Sequence, residues 1–258
     1  MDGQWFRRFG DSEPGALRLI CFPHAGGAAS AYLPLSRLLV PHIDVRAVQY
    51  PGRQDRRRET PVADIGELAA VVAGKLESDD QDSPCAFFGH SMGALIAYET
   101  ARILQDHGAR PPARLFLSAR GAPGPRRNPH DALPDDDAIL TAVRRLGGTG
   151  AALLDDPELV AMVLPALRAD YTALAGYSWA PGEPLRVPVT VLCGTDDPVV
   201  SVKEAAGWRT HTRADTEVRV LPGGHFYLDQ RLGDVAEVIL RGVRSANAAR
   251  AGNGARHD

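Results

Sequence analysis

The pentapeptide Gly89-His90-Ser91-Met92-Gly93 has the residue types and spacing of a nucleophilic serine on a sharp turn. It follows an apolar run, Ala86-Phe87-Phe88, and opens onto a helix-forming stretch. The two glycines permit a turn that is too tight for a side chain on either side of the serine, and the strained backbone points the hydroxyl outward. The pattern therefore predicts that Ser91 is a catalytic nucleophile.

A serine hydroxyl is a poor nucleophile at neutral pH, so it needs a base within hydrogen-bond reach and a carboxylate that orients this base. The apolar run from Val218 to Leu221 ends in Pro222-Gly223-Gly224-His225. His225 alone among the histidines combines a strand end with the expected chain order of Ser, Asp and His. It is therefore the predicted base, whereas His90 is expected to support the turn structurally.

The orienting acid is expected at the end of the preceding strand. The run from Val189 to Cys193 leads into Gly194-Thr195-Asp196-Asp197, where two acids compete. Asp197 is preferred because an aspartate three positions after the glycine fits this kind of site. Asp196 is the alternative, and we expect it to face solvent or to stabilise the turn.

A tetrahedral intermediate needs backbone N–H donors aimed at its oxygen. Met92 is the first predicted donor, because it follows the nucleophile at a helix N-terminus. The second is expected from the loop after the first long apolar run, Phe22 to Gly27, with Ala25 as the preferred donor and Gly26 as the alternate. The glycines of this loop match no phosphate-binding pattern.

Short apolar runs bounded by Gly, Pro and Asp predict the strands that position these residues. They are Leu17 to Phe22, Val45 to Val48, Cys85 to Phe88, Leu115 to Ser118, Val187 to Cys193 and Val218 to Leu221. Helical patterns lie between them, including Asp64 to Leu76 with Asp64 as N-cap, Met92 to His107, and an amphipathic stretch from Leu232 to Val243. This alternation predicts an α/β fold with a mostly parallel sheet covered by helices on both faces.

One segment, about residues 121–185, breaks the alternation. It carries two helical patterns, Asp135 to Leu146 and Pro157 to Tyr171, and Asp156 is the expected N-cap of the second. Pro165 is expected to kink that helix. We interpret the segment as a helical lid over the nucleophile, and the alternative is that it only enlarges the core.

Composition limits the class of protein. The chain has 258 residues, 44% of them hydrophobic and 24% charged, and a net charge of −3. These values predict one globular domain over residues 1–245 and a disordered tail over 246–258, and they argue against nucleic acid as a partner. No membrane span or signal peptide is expected, so the predicted location is the cytoplasm.

The cysteines give no sign of a metal or redox site. Cys21, Cys85 and Cys193 each lie in an apolar run without a second ligand at metal-binding spacing. We expect free, buried thiols, and neither a metal nor a cofactor.

With these motifs the chain resembles the type II thioesterases, the editing enzymes of polyketide and nonribosomal peptide biosynthesis, which have the α/β-hydrolase fold. The resemblance covers about residues 15–243. Its markers are Ile20 to Gly27, Tyr50-Pro51-Gly52-Arg53, Gly89 to Gly93, Leu133-Pro134-Asp135, Leu146-Gly147-Gly148, Arg168-Ala169-Asp170-Tyr171 and Gly223-Gly224-His225-Phe226.

The resemblance implies an acyl thioester on the phosphopantetheine arm of an acyl or peptidyl carrier protein as substrate, hydrolysed by a monomer to remove stalled or wrongly primed units. The run from Arg53 to Arg58 is either a positive surface toward the carrier or a solvated loop. Arg168 and Asp170 match a family motif without an evident role. The alternatives are a medium-chain fatty acyl thioesterase, a general carboxylesterase and a non-catalytic protein with the same fold.

Overall fold

A seven-stranded sheet forms the centre of the computed structural model, which describes residues 3–78, 84–126, 128–148 and 154–254. The strands are β1 (Phe6–Arg8), β2 (Leu17–Phe22), β3 (Ile43–Val48), β4 (Cys85–His90), β5 (Leu115–Ser118), β6 (Val189–Gly194) and β7 (Thr216–Leu221). Their spatial order is β1-β3-β2-β4-β5-β6-β7. Only β1 is antiparallel, pairing with β3, and the other neighbouring pairs are parallel.

The sequences of the central strands are nearly continuous apolar runs because helices cover both faces of the sheet. Every residue of β2, β5 and β6 is buried. The six predicted strands are confirmed, with small differences at their ends. The edge strand β1 was not predicted, since three residues, two of them arginines, give no periodic signal.

Helices cover the two faces of the sheet. On one face, α2 (Ile65–Glu77) and α3 (Met92–Asp106) pack together, and on the other face α1 (Leu33–Leu39) packs against α8 (Leu232–Gly254). The predicted cap of α2 is confirmed, because the Asp64 side chain accepts a hydrogen bond from the amide of Glu67. Two short helices follow β6 and β7: α6 (Val202–Ala206) and α7 (Tyr227–Gln230).

The segment between β5 and β6 contains the two expected helices, α4 (Asp136–Leu146) and α5 (Pro157–Gly176). Asp135 caps α4 and Asp156 caps α5 through side-chain hydrogen bonds to backbone amides. By length and composition alone, α5 is long and apolar enough to cross a membrane, as the core helix of a globular protein can also be. Its buried residues pack onto the domain instead, and one of them, Asp170, is charged.

The last helix extends beyond the predicted domain end. It continues to Gly254, through residues that the sequence analysis assigned to a disordered tail, and alanines at 246, 248, 249 and 251 favour this continuation. Residues 255–258 lie outside the described residues.

Candidate active site

The serine turn after β4 has the strained geometry that its sequence predicts. Ser91 has φ 54° and ψ −118°, a backbone conformation that residues other than glycine rarely adopt. Helix α3 begins at the next residue. A Cβ atom at Gly93 would lie 1.9 Å from the carbonyl oxygen of Phe22, and one at Gly89 would lie 2.2 Å from that of Gly93. Only glycine fits either position, because the obstructing atoms belong to the backbone.

Ser91, His225 and Asp197 form one hydrogen-bonded chain. The Ser91 Oγ lies 3.0 Å from Nε2 of His225, and Nδ1 of His225 lies 3.0 and 2.9 Å from the two carboxylate oxygens of Asp197. The His225 and Asp197 side chains are almost completely buried. In the tautomer that donates Nδ1–H to Asp197, Nε2 of His225 faces the hydroxyl of Ser91, which is the arrangement required to remove the hydroxyl proton.

The loop after β6 distinguishes the two candidate acids. Oδ1 of Asp197 also accepts hydrogen bonds from the amides of Val199 and Val200, at 2.9 and 3.3 Å, so the carboxylate is fixed toward the imidazole. Asp196 is exposed, and its carboxylate accepts a hydrogen bond from Thr195 Oγ1. The structure thus brings Asp197 to His225 and leaves Asp196 at the surface.

A glycine at the end of β6 allows the loops carrying the acid and the base to approach each other. A Cβ atom at Gly194 would lie 2.4 Å from the carbonyl oxygen of Gly223 and 2.5 Å from that of Gly224. The same oxygen of Gly223 accepts a hydrogen bond from the amide of Asp196 at 2.9 Å. The two strand ends are therefore held together by their backbones.

Two further histidines surround the base. His90 is fully buried, and its Nδ1 lies 2.8 Å from Ser118 Oγ. Burial lowers the pKa of His90 well below its usual value, with smaller effects from His225 and His24. Burial, together with the charges of His225 and Arg53, lowers the pKa of His24 to about 4. Both rings are therefore neutral at pH 7, and His90 has the structural position that the sequence predicts.

The backbone amides proposed for the oxyanion lie in the expected loops. Among the described residues, the amides of Met92 and Ala25 have no hydrogen-bond partner. The amide of Gly26, the alternate donor, is occupied because it donates to Oδ2 of Asp170 at 2.7 Å. The structure therefore favours Ala25 over Gly26.

A cavity of about 1120 Å³ opens at Ser91 and His225. The insertion between β5 and β6 that we interpret as a lid (the lid insertion, residues 121–185) supplies much of the apolar wall, including Val143, Leu146, Met162, Val163, Leu167 and Leu174. A volume of this order holds an extended acyl chain. A nucleophile at the end of an apolar chamber can attack the carbonyl group of an acyl substrate whose chain occupies the chamber.

The arginine run after β3 is only partly at the surface. Arg53 and Arg56 are buried, and Arg56 lies over the ring of Trp5 and pairs with Glu59. Arg57 and Arg58 are exposed, and Arg57 lines the cavity. The hypothesis of a positive surface toward a partner can therefore apply only to the last two arginines.

Comparison with known proteins identifies the family. The model of the thioesterase domain matches residues 17–242. The chain belongs to the thioesterase family. It is therefore an enzyme of the class that hydrolyses thioesters.

Curated relatives of this thioesterase include proteins of two Streptomyces species. It is 45% identical over 246 residues to a probable cadicidin biosynthesis thioesterase of Streptomyces griseus, covering 95% of this chain and 68% of that protein. It is also 45% identical over 240 residues to the thioesterase PikA5 of Streptomyces venezuelae, covering 92% of this chain and 84% of that one.

Solved structures confirm the predicted fold. The type II thioesterase BorB from the borrelidin biosynthetic cluster matches with a TM-score of 0.84 and 42% identity, over 92% of this chain and 97% of BorB. YbtT, a type II thioesterase of the yersiniabactin pathway, matches with a TM-score of 0.81 and 32% identity, over 94% of this chain and 99% of YbtT. The resemblance to type II thioesterases and the α/β-hydrolase fold are thus confirmed.

Proposed function

We propose that this thioesterase hydrolyses acyl groups from the phosphopantetheine arm of acyl or peptidyl carrier proteins, with Ser91, His225 and Asp197 as the catalytic residues. The observation that carries the proposal is the hydrogen-bonded chain from Ser91 Oγ through His225 to Asp197, which ends at an apolar cavity under the lid insertion. The similar proteins BorB and YbtT are type II thioesterases of the borrelidin and yersiniabactin biosynthetic pathways.

The first half of the reaction forms an acyl-enzyme. Ser91 Oγ attacks the thioester carbonyl carbon while Nε2 of His225 takes the hydroxyl proton, and Asp197 stabilises the imidazolium. The carbonyl oxygen becomes an oxyanion, which the amides of Met92 and Ala25 would stabilise. The C–S bond then breaks, and His225 returns the proton to the departing thiolate.

The second half releases the acid. A water molecule gives a proton to His225 and attacks the ester carbonyl carbon, and a second oxyanion forms in the same place. When the C–O bond to Ser91 breaks, His225 protonates the serine oxygen. The products are a carboxylic acid and the free enzyme, so neither a cofactor nor a metal ion is needed.

The apolar chamber supports an editing role. Hydrophobic contacts discriminate weakly between acyl chains, by about 1–3 kcal/mol per methylene group. A chamber of about 1120 Å³ with largely aliphatic lid residues would therefore accept acyl groups of several lengths. Such tolerance suits an enzyme that clears many different misloaded units.

The partner would be the carrier protein itself. Arg57 and Arg58 are exposed near the cavity and could pair with acidic groups or with the phosphate of the arm. The triad, both amides and the cavity come from one chain, so we expect a monomer to suffice. The thiols of Cys21 and Cys193, which form no disulfide, support a cytoplasmic location, where thiols stay reduced.

Hydrolysis rates on three substrate types test the proposal. The same acyl group is offered on a carrier protein, on a small thiol such as N-acetylcysteamine, and as a simple oxygen ester. We expect kcat/KM to be highest for the carrier-bound thioester and lowest for the oxygen ester. Faster hydrolysis of the oxygen ester would favour a general carboxylesterase, and a preference for long free acyl thioesters over the carrier would favour a fatty acyl thioesterase.

A further inference from the structure

A charged side chain of the lid insertion lies completely buried against the loop that carries Ala25. Asp170 on α5 has no exposed side-chain surface, and both of its carboxylate oxygens are used. Oδ2 accepts a hydrogen bond from the amide of Gly26 at 2.7 Å, and Oδ1 forms an ion pair with Nη2 of Arg53. Burial of a charge is costly without such partners, so the Asp170 carboxylate depends on these two contacts with the loop and with Arg53.

The partner arginine holds the same loop from its other side. Arg53 is buried, its Nε donates to the carbonyl oxygen of Gly27 at 3.0 Å, and its Nη1 donates to that of Pro51 at 2.8 Å. Asp170 thus binds the amide of Gly26, and Arg53 binds the carbonyl group of the next residue, Gly27. The ion pair therefore fixes the loop rather than the lid insertion alone.

These contacts determine where the amide of Ala25 points. The amide of Gly26 belongs to the peptide group that follows Ala25, and Asp170 fixes its direction. The carbonyl of His24 belongs to the peptide group that precedes Ala25, and it accepts a hydrogen bond from the amide of Gly27 at 2.9 Å. In a trans peptide group the N–H points opposite to the C=O. The orientations of the two peptide planes that flank Ala25 are therefore fixed, and the direction of the Ala25 N–H is fixed with them.

We infer that Asp170 is a positioning residue that, through Arg53 and the amide of Gly26, aims the Ala25 amide at the oxyanion. This inference rests on the proposed function. It gives a role to two sequence markers that lie 117 residues apart, Pro51-Gly52-Arg53 and Arg168-Ala169-Asp170. It also explains why Gly26 does not itself serve as the oxyanion donor, since its N–H is engaged.

The test compares ground-state and transition-state binding in Asp170→Asn, which keeps the shape of the side chain and removes its charge. Active serines are counted with a fluorophosphonate, and kcat and KM are measured on an N-acetylcysteamine thioester. Affinity is measured for a trifluoromethyl ketone, whose adduct carries an oxyanion, and for the corresponding thioether, which does not. We expect kcat per active serine and ketone affinity to fall together by about 10- to 100-fold, with KM and thioether affinity within about twofold.

Asp44→Asn is the matched control. Asp44 is also buried, and it pairs with Arg8 and Arg46, each at 2.8 Å, on β3 and away from the cavity. It should lose stability as Asp170→Asn does, while its kcat per active serine and its ketone affinity remain those of the wild type. Arg53→Lys is the second variant, because lysine keeps the charge but lacks the fork that reaches both Gly27 and Pro51.

Two results would overturn the inference. One is an Asp170→Asn protein that loses only stability, with kcat per active serine and ketone affinity unchanged. The other is equal weakening of the ketone and the thioether, which would indicate a damaged acyl chamber. A wild-type protein that reacts with the fluorophosphonate but spares carrier-bound thioesters would refute the proposed substrate instead, and the ketone comparison would still decide the role of Asp170.

Discussion

Asp197 accepts a hydrogen bond from Nδ1 of His225, which lies 3.0 and 2.9 Å from its two carboxylate oxygens, although a second aspartate precedes it directly in the chain. The two acids differ in exposure and in partners. Asp197 is buried and bound by two backbone amides, whereas Asp196 faces solvent. One position in the chain therefore separates an acid that contacts the buried imidazole of His225 from an acid at the surface.

Asp197→Asn should reduce kcat strongly and leave the fold intact. The amide can offer its N–H to the imidazole, which favours the wrong tautomer and removes the charge that stabilises the imidazolium. We expect kcat on a small thioester to fall by roughly 10³- to 10⁴-fold, with KM little changed. Steady-state kinetics and circular dichroism measure the two effects.

Asp196→Asn provides the control for this substitution. It makes the same chemical change one residue away, at an exposed side chain that contacts Thr195. Its kcat should stay within about twofold of the wild type, since exposed positions contribute little. Equal losses in the two variants would show that the loop as a whole, and not the Asp197 carboxylate, supports activity.

Gly93→Ala should destabilise the protein severely. The added Cβ would lie 1.9 Å from the carbonyl oxygen of Phe22, and neither backbone segment can move without disrupting β2 or α3. We expect the free energy of unfolding to fall by more than about 4 kcal/mol, or the protein to be insoluble. Urea unfolding followed by fluorescence measures the change.

The matched substitution is Gly74→Ala in α2, where an added Cβ has no neighbour within 4 Å. Alanine is the better helix former, so the free energy of unfolding should rise by about 0.5–1 kcal/mol. A Gly93→Ala protein as stable as Gly74→Ala would contradict the tight serine turn.

His24 should make the protein less stable in mild acid. Its pKa is about 4 in the folded protein, against 6.5 for an ordinary histidine. Between pH 4 and pH 6.5 the unfolded chain therefore binds a proton at this residue and the folded chain does not. The stabilising contribution is complete above pH 6.5 and is lost as the pH falls toward 4. Between pH 7 and 5 this one group should lower the free energy of unfolding by about 2 kcal/mol.

The difference in urea unfolding between wild type and His24→Gln isolates this contribution, because glutamine does not titrate. His24→Gln should lose about 2 kcal/mol less than the wild type over the same pH interval. His42→Gln is the control at an exposed histidine, and it should change the pH dependence by less than about 1 kcal/mol. A parallel pH dependence in wild type and His24→Gln would refute a lowered pKa of His24 in the folded protein.

Arg57 and Arg58 should matter only for the carrier-bound substrate. The double replacement by alanine removes two exposed positive charges near the cavity, and we expect KM for an acyl carrier protein to rise by about threefold or more at low salt. KM for the N-acetylcysteamine thioester should stay within about twofold. Arg241→Ala on α8 is the control on another surface. Equal effects on both substrates would exclude docking through these arginines.

Local patterns are enough to predict most of the fold and the three residues that the structure joins by hydrogen bonds. The parallel strands are apolar runs, and each catalytic candidate lies shortly after the end of one of them. Because neighbouring parallel strands end at the same edge of the sheet, Ser91, Asp197 and His225 meet there. The helix caps Asp64 and Asp156 are predictable for the same local reason, whereas Asp135 was expected inside the helix that it caps.

Contacts between distant segments could not be predicted in the same way. The sequence offers Arg53 as one member of a charged run, and only the fold shows that it turns inward to Asp170 on α5. Burial of Arg56 over Trp5 also depends on β1, which is too short to leave a pattern. The course of the chain beyond Ala246 was misjudged because small, polar composition does not distinguish a helical end from a tail.

The central claim is that Ser91 removes the acyl group from the carrier protein, and intact-protein mass spectrometry tests it most directly. An acyl carrier protein loaded with an acyl-phosphopantetheine arm is incubated with the wild type or with Ser91→Ala, and the masses of carrier and enzyme are followed over time. We predict that the wild type returns the carrier to its free-thiol mass and that Ser91→Ala is slower by at least about 10³-fold. Release by Ser91→Ala at a rate within tenfold of the wild type would contradict the account.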